Sequence, residues 1–177
     1  MTDTEPFLVT ERLELWRPRA EDERQMFAII SDPRTHRYLG PMSSRADHVL
    51  RFQRGAGSWF LHGYGSFIVR LRGQAEVIGN CGTFHSWRGL GDDFDDMPEG
   101  GWILSADYVG KGIAGEAMRA ALAWFDRAHG SRDVVCMIEP GNQPSMMLAG
   151  KLGFAKTRLA ELPDGTQVQL LRRAADG

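Results

Sequence analysis

The sequence predicts a mixed α/β fold with one central, mostly antiparallel sheet of six to seven strands flanked by about four helices. Three observations lead there. Apolar runs of strand and helix length follow one another in the order β-α-α-β-β-β-α-β-α-β-β. Tight turns at 72–75 and 163–165 make hairpins, and only the passage from 101 to 138 reads as a strand-helix-strand crossover. The 177 residues also fit the roughly 100–200 expected of one domain, so a single unit over 1–177 is expected, with no linker or repeat inside it.

The first strand comes from Phe7-Leu8-Val9 and Leu13-Glu14-Leu15-Trp16, with an irregular start. A helix over 20–30 carries Met26, Phe27, Ile29 and Ile30 on its apolar side and Glu21, Asp22 and Glu23 in its first turn, and Asp32-Pro33 should stop it. Ser44-Arg45-Ala46-Asp47 resembles a capping box and opens a second helix, which Gly55-Ala56-Gly57 should end. Ser66–Arg70 and Glu76–Phe84 form a hairpin, and Gly79 and Gly82 in its second strand imply a bulge or a close backbone approach. A polar loop over 85–98 precedes the strand 101–105, and the apolar spacing of Ala114, Ala117, Met118, Ala121, Leu122 and Phe125 marks a long helix stopped by Gly130. Strand 133–138 follows. A short helix is capped by Asn142, with Pro144 in its first turn and Gly153 at its far end, before a closing hairpin around Pro163-Asp164-Gly165.

Composition narrows the function classes. Charged residues make up 25 % of the chain and the net charge is −2, which gives no general pull toward nucleic acid or an anionic membrane. No run approaches the ~20 apolar residues of a spanning helix, and Met1 to Pro6 lack the basic start and apolar core of a signal peptide. A cytoplasmic protein is the expectation. Cys81 and Cys136 lie in strand-like runs without CxxC or Cys/His spacing, so they read as buried thiols, and no metal site is expected.

The stretch Tyr108 to Ala117 holds the strongest functional signal. Its three glycines and Lys111 lie between a strand and an amphipathic helix, where unpaired N–H groups and the helix dipole favour a phosphate. Gly110-x-Gly112-x-x-Gly115 has the spacing of a dinucleotide fingerprint, with Glu139 near the place of its ribose-binding acid, yet a doubly wound domain needs more βα units than remain. A Walker loop fails because Lys111 precedes Gly112 and no hydroxyl follows it. A glycine turn that binds nothing is the third reading.

Two motifs decide for a fourth. Val109-Gly110-Lys111-Gly112-Ile113-Ala114 resembles the pyrophosphate loop [Q/R]-x-x-G-x-[G/A] of the GCN5-related N-acetyltransferase (GNAT) superfamily, with Val109 in place of the first residue. Asn142-Gln143-Pro144-Ser145 and Lys151-Leu152-Gly153-Phe154 are similar to the second motif of its RimJ/RimL-like branch, and the segments 10–18 and 31–40 extend the likeness.

The resemblance implies a GNAT-type sheet splayed between the 101–105 and 133–138 strands, and direct transfer of an acetyl group from acetyl-CoA to a primary amine in a ternary complex. The amine would belong to a protein N-terminus or a small molecule; nucleic acid, membrane and metal are not expected, and a homodimer is the assembly it suggests. Ile103, Leu104, Gly110, Lys111, Gly112, Ile113, Ala114, Gly115, Asn142 and Ser145 would hold the cofactor, with a backbone N–H near Leu104 polarising the thioester. Ala149 stands where many members carry the tyrosine that protonates the thiolate, so Ser145 inherits that role, with helix capping as its alternative. Glu161 is the base the branch implies; Glu99, Asp107, His85 or a water chain are the alternatives. Asp92, Asp93, Asp95, Asp96 and Glu99 could steer a cationic amine or simply be solvated, and Trp59, Phe60 and Trp87 could line an acceptor pocket or pack in the core. Two other functions stay open: a CoA-binding sensor without catalysis, and a nicotinamide-dependent oxidoreductase.

Overall fold

The computed structural model describes residues 4–175, so Met1 to Asp3 of the amino-terminal stretch lie outside it. Eight strands form one sheet: β1 (Leu8–Val9), β2 (Leu13–Trp16), β3 (Ser66–Leu71), β4 (Val77–His85), β5 (Pro98–Leu104), β6 (Val134–Ile138), β7 (Ala155–Glu161) and β8 (Gln167–Arg173). Their order is β1-β2-β3-β4-β5-β6-β8-β7, antiparallel except for β5 and β6. The helices are α1 (Asp22–Ser31), α2 (Pro33–His36), α3 (Arg45–His62), α4 (Ile113–His129) and α5 (Gln143–Lys151), with a 3₁₀ turn at Ala106–Tyr108. Among the described residues no helix is long and apolar enough to cross a membrane.

Alternation along the strands sends one set of side chains to each face. Leu13, Leu15, Phe67, Val69 and Cys81 meet Ala117, Met118, Ala121 and Phe125 of α4 in the main core. Ile68 and Val77 instead meet Met26 and Ile30 of α1 on the other face. Both cysteines are buried free thiols, and burial pushes Cys81 up to about 12.

The elements exceed the predicted count for identifiable reasons. The irregular first strand is a hairpin of its own, β1 against β2, which supplies the eighth strand. Asp32-Pro33 ends α1 and also starts α2, because the Asp32 carboxylate accepts the Arg34 N–H and proline suits a first helical turn. Gly55 and Gly57 do not end α3; it runs on to Gly63, whose φ of 76° makes the cap. Tertiary contacts outweigh the glycine cost there: the Ser58 hydroxyl donates to the Tyr64 carbonyl and accepts the His85 N–H, and the Trp59 indole donates to Ser66.

The glycines of β4 do what their position implied. The ladder between β3 and β4 shifts at Val69/Arg70, leaving Ile78 as the extra residue beside Gly79. A Cβ on Gly79 would lie 2.2 Å from the Ile103 carbonyl oxygen, so β5 approaches β4 as only glycine allows. Opposite outcomes are expected for two Gly→Ala changes. Gly57→Ala meets nothing within 4 Å on a helix and should stabilise by about 0.5–1 kcal/mol; Gly79→Ala should destabilise by about 2 kcal/mol or more, since β5 must move. Urea denaturation of both variants checks the pair.

Candidate active site

The site is built where β5 and β6 part. Their ladder holds a single register pair, Glu99 with Val135, after which the strands separate. The Ile103 carbonyl points at Gly79, and a paired residue exchanges its N–H and C=O with the same neighbour. By alternation the main chains of Trp102 and Leu104 face the gap instead. Of the two strand residues proposed for the cofactor, Leu104 therefore offers its backbone to the opening, whereas that of Ile103 belongs to the ladder with β4 through its Asn80 pairing.

The glycine loop lies at the C-terminal end of this gap. Gly110 and Gly112 have φ of 79° and 75°, left-handed values that turn the chain back into α4. No side chain caps α4 at Gly112, and among the described residues no acceptor takes the N–H groups of residues 110–115. Those donors and the positive end of the helix dipole form an anion cradle. Lys111 adds a cation with its Nζ 5.3 Å from the centre of the Tyr108 ring. Ile113 contributes only main chain, since its side chain is buried in the core. Gly115 leaves room for α5: a Cβ there would lie 3.4 Å from the Leu148 side chain.

Two sets of contacts that no motif announced brace the loop. The Arg12 guanidinium donates to the Lys111 carbonyl at 3.0 Å and to Glu116 at 2.7 Å, while Glu116 also accepts the Thr10 hydroxyl at 2.6 Å and the Arg12 N–H at 3.0 Å. On the other side, Thr35 of α2 accepts the Ala106 N–H at 3.0 Å and Arg34 pairs with Asp107 at 2.9 Å. The only sequence hint was a carboxylate in the first turn of a helix whose loop should bind an anion. It needs a counter-ion.

Ser145 stands across the gap from β5. Asn142 caps α5 by accepting the Ser145 N–H at 3.2 Å, so capping belongs to Asn142 and not to the serine. The Ser145 oxygen accepts the Trp102 indole N–H at 3.2 Å, which leaves its own O–H free to donate. Trp102 is the site residue that the sequence reading missed.

Glu161 is exposed at the end of the edge strand β7 and accepts the Gln167 side-chain N–H at 2.6 Å. The structure does not bring it into contact with Ser145. Its hairpin turn does approach the loop between α2 and α3, with Thr166 3.9 Å from where a Gly40 Cβ would lie. Glu99 is buried beneath the gap, held by the Arg88 guanidinium at 2.8 and 2.9 Å and by the Ser86 hydroxyl. Asp107 is tied to Arg34 and His85 to Asp96. Of the aromatic residues, Trp59 packs against Phe7, Phe67 and Trp124, whereas Phe60 and Trp87 are exposed. Among the described residues no group of three His, Cys, Asp or Glu could hold a metal ion.

Residues 12–155 match the acetyltransferase (GNAT) domain family. The chain belongs to that family. It is therefore a GNAT acetyltransferase, an acyltransferase by reaction class. A GNAT-family acetyltransferase from Bordetella pertussis is 33 % identical and superposes with a TM-score of 0.83 over 94 % of this chain and 98 % of its own. An acetyltransferase from Agrobacterium tumefaciens C58 is 26 % identical at a TM-score of 0.80, covering 97 % and 96 %. Among curated proteins, the N-acetyltransferase p20 of Bacillus licheniformis is 28 % identical over 157 residues, 86 % of this chain and 84 % of its own.

Glu116 supplies a test of the loop brace. Burial would raise its pKa, but the hydrogen bonds from Thr10 and Arg12 outweigh that and hold the carboxyl below its ordinary value. A depressed carboxylate stabilises the fold above its unfolded pKa and loses that contribution as pH falls through the folded one. Glu116→Gln should cost about 1–3 kcal/mol at pH 7. The gap from wild type should close below about pH 4, the ordinary glutamate range, in thermal unfolding followed across pH.

Proposed function

We propose that the chain, as one domain over 1–177, transfers the acetyl group of acetyl-CoA to a primary amine in a ternary complex, without a covalent enzyme intermediate, in the cytoplasm. The observation that carries this reading is one alignment. The uncapped N–H groups of residues 110–115, the main chain of Leu104 and the free O–H of Ser145 surround a single gap between β5 and β6. A pyrophosphate in the cradle would lead the pantetheine arm along the unpaired edge of β5 as an added strand does. The Leu104 N–H would then face the thioester oxygen, where one such donor contributes about 3–4 kcal/mol to the transition state.

The amine must arrive neutral, attack the thioester carbon and lose a proton, while the departing thiolate gains one. Ser145 is proposed as donor to the sulfur, with the Trp102 indole fixing its oxygen. Glu161 is proposed as acceptor of the amine proton, acting at the mouth between its hairpin and the Gly40 loop. The relative from Bacillus licheniformis is named an N-acetyltransferase, and another GNAT fold at 19 % identity is a ribosomal L7/L12 α-N-protein acetyltransferase in complex with coenzyme A. They support an amine acceptor, either a protein N-terminus or a small molecule. The oxidoreductase reading loses support because the sheet holds one parallel pair, not the several of a doubly wound domain.

Calorimetry with acetyl-CoA, followed by free-thiol release with a panel of peptide and small-molecule amines, tests the proposal. Binding with amine-dependent thiol release is expected. Binding without release for any amine would leave the CoA sensor; no binding at millimolar acetyl-CoA would remove both. Gly112→Asp should abolish binding by placing a carboxylate in the cradle. Ser145→Ala should lower kcat by about 10²-fold or more with a smaller change in KM. Glu161→Gln should erase the acidic limb of the pH–rate profile, and persistence of that limb would clear Glu161 as the base.

A further inference from the structure

Glu139 is left without a role once the dinucleotide spacing finds no doubly wound sheet around it. It follows the last residue of β6 and precedes the cap of α5. Its Oε2 is sealed from solvent without a hydrogen bond, and no described residue pairs with either oxygen. Other acids near the gap have partners: Glu99 is held by Arg88, Asp107 by Arg34 and Glu161 by Gln167. A carboxylate oxygen buried without a donor is costly, so its position calls for one.

The turn on which Glu139 sits does not supply that donor. The carboxylate folds over Gly141, with its oxygens 3.0 and 3.2 Å from where a Cβ would be. Yet the N–H groups of the following residues are spent elsewhere: Asn142 donates to the Glu139 carbonyl, Gln143 to the Gly141 carbonyl and Ser145 to the Asn142 side chain. Position along the gap points to a ligand instead. Four residues on from the Glu99–Val135 pair the two strands reach Ile103 and Glu139, so Glu139 stands level with the residue before Leu104. Side chains alternate along β6. Val134, Cys136 and Ile138 enter the core that α4 and α5 cover, while Val135 and Met137 pack with Leu90, Phe94 and Val168 on the opposite face. Glu139 continues the second set.

The cradle of residues 110–115 and Ser145 belong to α4 and α5, so the cofactor reaches the gap from their face. In a ternary complex the amine must then come from the other. We infer that Glu139 binds the acceptor there as its ammonium ion, which makes a protonated primary amine the form that the site selects. This rests on the acetyl-CoA reading above. An ammonium brings N–H donors and a full charge to a carboxylate that has no donor. An alkylamine is mostly protonated at neutral pH, so the abundant form is the one captured. The proton that it loses before attack passes to Glu161 in that reading. Glu139 then has a part in binding and none in the acidic limb of the pH–rate profile.

Steady-state thiol release by wild type and Glu139→Gln, with whichever alkylamine or peptide of the panel reacts fastest, tests this. Thermal unfolding and acetyl-CoA calorimetry of both proteins without an amine complete the experiment. Glu139→Gln should raise KM for the amine about tenfold or more, the scale of one charge-assisted contact, with kcat changed less. Its acetyl-CoA affinity should match that of wild type and its Tm should be no lower, because the carboxylate it removes has no partner in the empty protein. An unchanged KM overturns the inference and leaves acetyl transfer standing. A KM rise that comes with a lower Tm and weaker acetyl-CoA binding also overturns it, since Glu139 would then be holding the wall of the gap. Wild type that releases thiol with none of the amines removes this role and the acetyl-transfer reading together.

Discussion

The separation of β5 from β6 after a single ladder pair is the constraint on which the rest of the molecule depends. A strand in the middle of a sheet normally satisfies its backbone on both sides, and buried groups without partners are costly. Here β5 satisfies one side fully, over seven register pairs with β4 from Gly79–Leu104 to His85–Pro98, and leaves the other open beyond Glu99. Gly79 and the bulge at Ile78 let β5 lean onto β4. α5, capped by Asn142, holds the opposite wall. The result is an edge inside a sheet, and an extended ligand is what an edge accepts.

The same constraint explains the bracing around the loop. A cradle of N–H groups at the start of α4 favours any anion, including its own Glu116 in the first turn. Left free, that carboxylate would compete with a phosphate for the cradle. Three donors from Thr10 and Arg12 draw it aside, and the same arginine fixes the Lys111 carbonyl. α2 does the corresponding work one turn earlier through Thr35 and Arg34. Segments distant in sequence thus hold the loop at both of its ends. The β1–β2 turn and the short α2 are part of the site's frame rather than peripheral decoration.

Signals that are local were legible in the sequence. Helix α4 with its glycine stop, the Asn142 cap, the Ser44–Asp47 capping box and the bulge beside Gly79 each depend on residues a few positions apart. Contacts between distant segments were not legible. The Ser145–Trp102 hydrogen bond spans 43 positions and the Thr10–Glu116 bond 106, and no periodicity encodes either. The boundary errors share that cause. Gly55 and Gly57 carry a local stop signal, but Ser58 and Trp59 are held by Tyr64, Ser66 and His85, and packing overrode propensity.

The acidic loop before β5 shows why composition alone misleads about substrate attraction. Five carboxylates between 92 and 99 look like a field for a cationic amine, yet four are engaged within the protein. Asp93 pairs with Arg158 on β7, and Asp96 with His85, whose ring stacks on His62 at 4.1 Å. Asp95 is buried, and although burial opposes its ionisation, the N–H groups of Arg88, Gly91, Leu90 and Gly89 hold its carboxyl below the ordinary aspartate range. Glu99 is locked by Arg88 and Ser86. These contacts shape the loop and fasten it to β5 and to the β7–β8 hairpin, and an arginine faces two of the carboxylates, Asp93 and Glu99. What the loop leaves exposed is the indole of Trp87 and the carboxylate of Asp92, while the neighbouring β7–β8 turn brings Thr166 to within 3.9 Å of where a Gly40 Cβ would lie.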